Sequence, residues 1–259
     1  MSLNKDGKKI ISIHLGKKKV ILRFEDETKS ISLNTYLNFR LYENKILSKD
    51  EIEEIDNFNE IDKYLEYSKN IISRYLISEK TLHDKLIKKG LNEDKIGYII
   101  AYLKENKLLD DVNYGKALFD ELNYKCYGKY RIIEYLKKKG LNNEFISSLI
   151  FDEDDEINKI YKLIPSLNKK YSKYNFSQKR IHIINSLKRY GFDDKDINKC
   201  LNEFNHFDKK DELDKLLLDY KKAYNKYLKK YDKNEAKIRT IKYLINKGYN
   251  YSLICEIKE

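Results

Sequence analysis

IIEYLKKKGLNNEFI, residues 132–146, is the stretch whose reading decides how this chain folds. A leucine stands four residues before a glycine. A large apolar residue, an asparagine and a further apolar residue follow. A glycine just past a helix end takes a left-handed backbone conformation without a Cβ clash. The apolar residue after it packs back on the helix that has ended. The asparagine then accepts backbone N–H bonds as the N-cap of the next helix, a contribution of about 1 kcal/mol. The stretch reads as a tight corner between two helices.

The pattern recurs at LHDKLIKKGLNEDKI (82–96), IINSLKRYGFDDKDI (183–197) and IKYLINKGYNYSLI (241–254). The corner glycines are Gly90, Gly140, Gly191 and Gly248, spaced 50, 51 and 57 residues apart. Leu91, Leu141, Phe192 and Tyr249 follow them, and then the caps Asn92, Asn142, Asp193 and Asn250. A longer helix is expected ahead of each corner, over 62–76, 111–125, 153–171 and 211–230. The acidic run DEDDE (152–156) suits the N-terminal end of the third, where negative charge complements the helix dipole. The unit is three helices in roughly 50 residues, which excludes the 34-residue tetratricopeptide pattern. The fourth unit is trimmed, because only 251–257 are left for its last helix.

Before the repeats, IISIHL (10–15), VILRFE (20–25) and SISL (30–33) read as a small antiparallel meander. SKDEIEEI (48–55) opens a helix, with Ser48 as N-cap and Glu51 at the capping-box position. The expected organisation is an N-terminal β-containing segment over 1–60 and three-helix repeats over 61–110, 111–151, 152–208 and 209–259. The fold class is mainly α: tandem three-helix repeats in an elongated, curved array. Units of roughly 20 Å each would give an arc on the order of 80 Å.

Composition agrees. The chain has 259 residues, a single proline, nine glycines and 41% hydrophobic residues. That poverty of breakers favours helix. Net charge is +11. Residues 1–60 are neutral, and the four repeats carry +2, +2, +1 and +6 in order. A positive field favours polyanions or acidic protein surfaces. Only seven of the 53 basic residues are arginine, which disfavours sequence-specific reading of DNA bases. Cys126, Cys200 and Cys255 have no metal-ligand spacing and are expected as reduced core residues. His14, His83, His182 and His206 are equally scattered. The start, MSLNKDGKKI, lacks a signal-peptide apolar region, and no run approaches a membrane span, so the expected compartment is the cytoplasm.

Candidate contact residues are lysines and arginines at helix ends: Lys88 and Lys89; Lys137, Lys138 and Lys139; Lys188 and Arg189. Complementing the helix dipole explains them as readily as a partner does. Lys221, Lys222, Lys229 and Lys230 make the fourth repeat the most basic. Tyr220, Tyr224, Tyr227 and Tyr231 form a helical stripe beside them, read as core packing or, alternatively, as a stacking platform for single-stranded bases. Gly128, Lys129 and Arg131 open a helix N-terminus that suits an anion. There is no phosphate loop, no nucleophile–base pair and no ligand cluster. No catalysis, cofactor, metal or small-molecule substrate is expected, and the chain is expected to be a monomer.

Two stretches carry a resemblance. YLKENKLLDDVNYGKALF (102–119) resembles the linker between the first two repeats of the RecX family, including the Leu-Asp-Asp step. YGKYRIIEYLKKKGLNNEFI (127–146) resembles that family's second repeat. The likeness covers 62–259, is most specific over 82–146, and fits the longer four-repeat form found in Firmicutes. One stretch departs: where the family often has an Arg-x-Arg-Ser step, this chain has Tyr75 and Ile77, with Arg74 one residue early and Ser78 retained. The resemblance implies a regulator that binds RecA and its filament on single-stranded DNA, lies in the filament groove, and inhibits ATP hydrolysis, filament extension and strand exchange. Two other readings compete. One is a transcription factor reading duplex DNA with helix–turn–helix corners, and the other a general single-strand binder.

Overall fold

The computed structural model describes residues 7–204 and 207–257, so His206 lies outside the described residues. The N-terminal strands are β1 (Lys8–Lys9), β2 (Ser12–Leu15), β3 (Lys19–Arg23), β4 (Thr28–Ser32) and β5 (Ile46–Leu47). β2, β3 and β4 form an antiparallel meander in that order, and β1 pairs with β5. Alternation decides the buried face: Val20 and Leu22 of β3 point into the core, and Lys19, Ile21 and Arg23 point out. Ile10, Phe24, Ile31, Leu41, Leu47 and Ile55 complete that core. Side chains occupy backbone groups at the sheet's edges. The Ile13 N–H donates to the Glu43 carboxylate at 3.1 Å, and the Ser32 N–H to Asn59 Oδ1 at 2.8 Å.

The expected strand over 30–33 stops at Ser32, because the Ser32 hydroxyl caps a helix the sequence reading missed, α1 (Leu33–Asn38). A second difference follows. α2 runs unbroken over Lys49–Ile72, with the expected Ser48–Glu51 capping box. The proposed boundary at 60/61 therefore falls inside one helix, since no glycine or proline interrupts it. Ile55 of α2 belongs to the β-segment core, and Leu65 to the core of the first repeat.

The repeats then follow the expected order. The first adds α3 (Glu79–Ile87) and α4 (Glu93–Glu105) to α2, around Leu82, Leu86, Leu91, Ile96 and Leu103. The second is α5 (Asp111–Tyr124), α6 (Lys129–Lys138) and the short α7 (Asn143–Ser148). The third is α8 (Glu153–Lys170), α9 (Phe176–Tyr190) and α10 (Asp194–Phe204), around Ile160, Ile164, Ile183, Leu187 and Ile197. The fourth is α11 (Lys209–Leu228), α12 (Lys233–Asn246) and α13 (Tyr251–Glu256). The chain divides into two compact units at Gly115/Lys116, within α5. None of the described helices is long and apolar enough to cross a membrane.

Each corner is built the same way. Gly90, Gly140, Gly191 and Gly248 have φ of +88°, +84°, +92° and +96°. The residue after each glycine donates its N–H to the carbonyl of the leucine four residues before that glycine: Leu91 to Leu86, Leu141 to Leu136, Phe192 to Leu187 and Tyr249 to Leu244. This satisfies a carbonyl the ended helix leaves free. The four residues that pack back are buried, at 4–5% exposure. Asn92, Asn142, Asp193 and Asn250 accept backbone N–H bonds at 2.8–3.0 Å, as caps should.

Candidate partner-binding surface and the joints between repeats

The helix N-termini that suit an anion are already filled, by carboxylates of this chain. The first helix of each later repeat sends an acid to the second helix of the repeat before it. Asp111 of α5 accepts the Glu79 N–H at 2.7 Å. Glu156 of α8 accepts the Lys129 N–H at 2.9 Å, and Glu212 of α11 accepts the Phe176 N–H at 2.9 Å. Burial pushes the Asp111 and Glu212 carboxyls above the usual carboxylate range, while the N–H bonds to them act in the opposite direction. The acidic run 152–156 thus serves two purposes. Asp152 caps α8 through the N–H groups of Asp154 and Asp155, and Glu156 reaches back to α6.

The joint between the second and third repeats is closely fitted. Gly128 donates its N–H to the Tyr190 carbonyl at 2.8 Å, and Tyr130 donates to the Gly191 carbonyl at 3.0 Å. A Cβ on Gly128 would lie 2.5 Å from the Gly191 carbonyl carbon. Lys159 is buried here, donating to Glu156, to Asn123 Oδ1 and to the Tyr127 carbonyl. Between the third and fourth repeats, Asn175 both caps α9 and donates from its amide to the Lys247 carbonyl at 2.7 Å.

Arg131 therefore does not stand free as a contact residue. Its guanidinium lies 4.3 Å from the Tyr127 ring centroid, also facing the Tyr135 and Tyr190 rings, and donates to the Arg189 carbonyl at 2.7 Å. Lys129 lies 5.7 Å from the Phe151 ring, and Lys89 lies 5.6 Å from the Tyr67 ring. Lys138 pairs with Glu134 at 2.6 Å, and Lys188 with Asp194 at 2.8 Å. Arg189 donates to the Ser186 hydroxyl at 3.1 Å. Lys88, Lys137, Lys139, Lys221, Lys222, Lys229 and Lys230 form no ion pair among the described residues. The last four gather on α11 and the turn after it.

Of the tyrosine stripe, Tyr220, Tyr224 and Tyr227 on α11 are half-buried, and Tyr231, past the end of that helix, is exposed. Tyr220 stacks on Tyr224 with centroids 5.7 Å apart, and Arg239 lies 4.2 Å from the Tyr231 ring. Of the cysteines expected in cores, Cys200 is buried, but Cys126 and Cys255 are half-buried. Cys126 follows the end of α5 with φ of +54°, a turn position rather than a core one. Asp111, Glu156 and Glu212 are the residues the sequence reading missed. Their signal was an acid in the first turn of a repeat's first helix, which a local dipole effect explains equally well.

No protein-family model matches the chain. Curated relatives do. It is 27% identical over 173 residues to regulatory protein RecX of Lactococcus lactis subsp. cremoris strain SK11, covering 64% of each chain. It is 32% identical over 139 residues to RecX of Caldanaerobacter subterraneus subsp. tengcongensis, covering 51% of this chain and 66% of that one. In both cases the matched stretch spans less than two thirds of the relative. It is also 26% identical over 248 residues to RecX of Streptococcus pneumoniae strain CGSP14, covering 92% and 94%. A crystal structure of regulatory protein RecX shares the fold with TM-score 0.62 at 18% identity, over 75% of this chain and 99% of that one. RecX from Lactobacillus salivarius aligns with TM-score 0.50 at 26% identity, over 57% and 96%.

Proposed function

The chain belongs to the RecX family, and from that premise we propose that it binds RecA and the RecA filament on single-stranded DNA. Bound there, it inhibits filament extension, ATP hydrolysis and strand exchange, acting in the cytoplasm without a catalytic step of its own. The observation that carries this reading is the match to a regulatory RecX protein over 92% of the chain. The charge supports it. Lys88, Lys137, Lys139, Lys221, Lys222, Lys229 and Lys230 are held by no acid of this chain among the described residues. They are left for an acidic protein surface or for phosphates.

The test is binding to cognate filaments, assembled on single-stranded DNA, at two salt concentrations. Filament binding that weakens with salt is expected, together with weaker binding to the bare DNA. Tighter binding to bare DNA than to the filament would favour the single-strand binder instead. The stacked Tyr220–Tyr224 pair among unpaired lysines is the observation on that side.

A further inference from the structure

The N-terminal unit holds an open groove of about 980 Å³ that the RecA reading does not use. It runs beside α2, between the β2–β3 turn and α4. Its apolar side chains include Leu33, Phe58, Ile61 and Tyr98, of which Leu33 is 43% and Tyr98 57% exposed. Apolar groups displayed in a concavity, rather than scattered singly, mark a surface that something covers.

Charge narrows the choice of occupant. Lys18 in the β2–β3 turn, Lys19 at the start of β3 and Lys63 on α2 line the groove, and no acid pairs with them among the described residues. Lys69 also lines it but is paired with Glu66 at 3.1 Å. The groove holds a carboxylate as well: Asp62, 6% exposed, accepts the Asn34 amide on one oxygen at 2.7 Å. A buried carboxylate needs N–H donors around it. A nucleic-acid strand brings phosphate acceptors and negative charge toward Asp62 and Glu66. A peptide brings backbone N–H donors to them, and carboxylates to the lysines on the rim.

We infer that this groove docks an extended acidic peptide segment of a partner protein. An apolar side chain of that segment sits over Leu33 and Tyr98, and its acids face Lys18, Lys19 and Lys63. The inference does not depend on the RecA reading.

The probe is a fluorescein-labelled peptide of Asp and Glu around one central Phe, titrated with the full chain and followed by anisotropy. Saturable binding is expected, weakening as salt rises. Replacing Lys18, Lys19 and Lys63 together by Gln weakens it about tenfold or more. Leu33→Asn weakens it comparably, with an unchanged melting temperature because Leu33 is exposed. If Leu33→Asn does unfold the chain, Tyr98→Ser takes its place. A peptide with Ser in place of Phe binds less well than the parent. Three results would overturn the inference: no saturable binding, equal binding by the lysine variant, or a thymidine oligonucleotide that binds more tightly than the peptide and is lost in the same variants.

Discussion

Gly90 and Gly191 occupy the same place in the same motif, with φ of +88° and +92°. Their surroundings differ. A Cβ built on Gly90 meets nothing within 4 Å, whereas one on Gly191 would lie 2.3 Å from the Arg131 amide nitrogen. Gly90 therefore needs glycine only for its backbone conformation. Gly191 needs it twice, for that conformation and for the approach of the α6 N-terminus, whose Tyr130 N–H it accepts. One local signal thus hides two physical demands. The second belongs to the joint between repeats.

The largest expected effect follows from that pair. Gly191→Ala forces a left-handed alanine against backbone, and conformational strain plus overpacking should cost about 3 kcal/mol or more. Gly90→Ala meets only the strain, about 1 kcal/mol. Urea unfolding of both variants checks the difference, and equal losses would break the comparison. Lys159→Ala sharpens it from the side of the buried charge. Leaving Glu156 without its partner should cost about 3 kcal/mol, read from the same unfolding curves.

Smaller effects test the carboxylates at the joints. Glu212→Leu leaves the Phe176 N–H without an acceptor and should cost about 1–3 kcal/mol. Glu212→Gln keeps an acceptor and removes a buried charge, so it should change neutral-pH stability by less than about 1 kcal/mol. The pH dependence has a definite sign. Burial raises the folded-state Glu212 carboxyl above its ordinary value, so the folded chain takes up this proton first on acidification. The contribution of Glu212 is then most favourable at low pH. It declines as pH rises from the ordinary carboxylate value through the raised one. Thermal melts of wild type and Glu212→Gln across that window should show wild type gaining on the variant as pH falls.

The corners were legible because everything that makes them is local. The glycine, the leucine whose carbonyl is capped and the asparagine cap lie within seven residues, as in Leu136, Gly140 and Asn142. The joints were not legible. Glu156 and Lys129 are 27 residues apart, and Glu212 and Phe176 are 36 apart. Nothing in either stretch separates a clamp from an acid that only complements a dipole. Arg131 looked like a contact residue for the same reason, since its three tyrosine neighbours come from two repeats. The boundary at 60/61 failed differently. A change in pattern from strand to repeat was read as a break, but a helix without a breaker continues through it.

The smallest effect on stability is expected at the lysines that end α6, of which Lys137 and Lys138 are exposed and Lys139 half-buried. Replacing Lys137, Lys138 and Lys139 by Ala should alter unfolding by less than about 1 kcal/mol, because the Lys138–Glu134 pair is exposed. Filament binding should weaken clearly. If binding is unchanged and stability falls, these lysines serve the helix rather than a partner.

The measurement that bears most directly on the proposed function is ATP hydrolysis by the cognate RecA on single-stranded DNA, titrated with this chain. Hydrolysis should fall at fewer than one copy per RecA protomer, because a chain of four repeats offers more than one contact. The chain alone should hydrolyse no ATP. An unchanged RecA rate at equimolar protein would contradict the account.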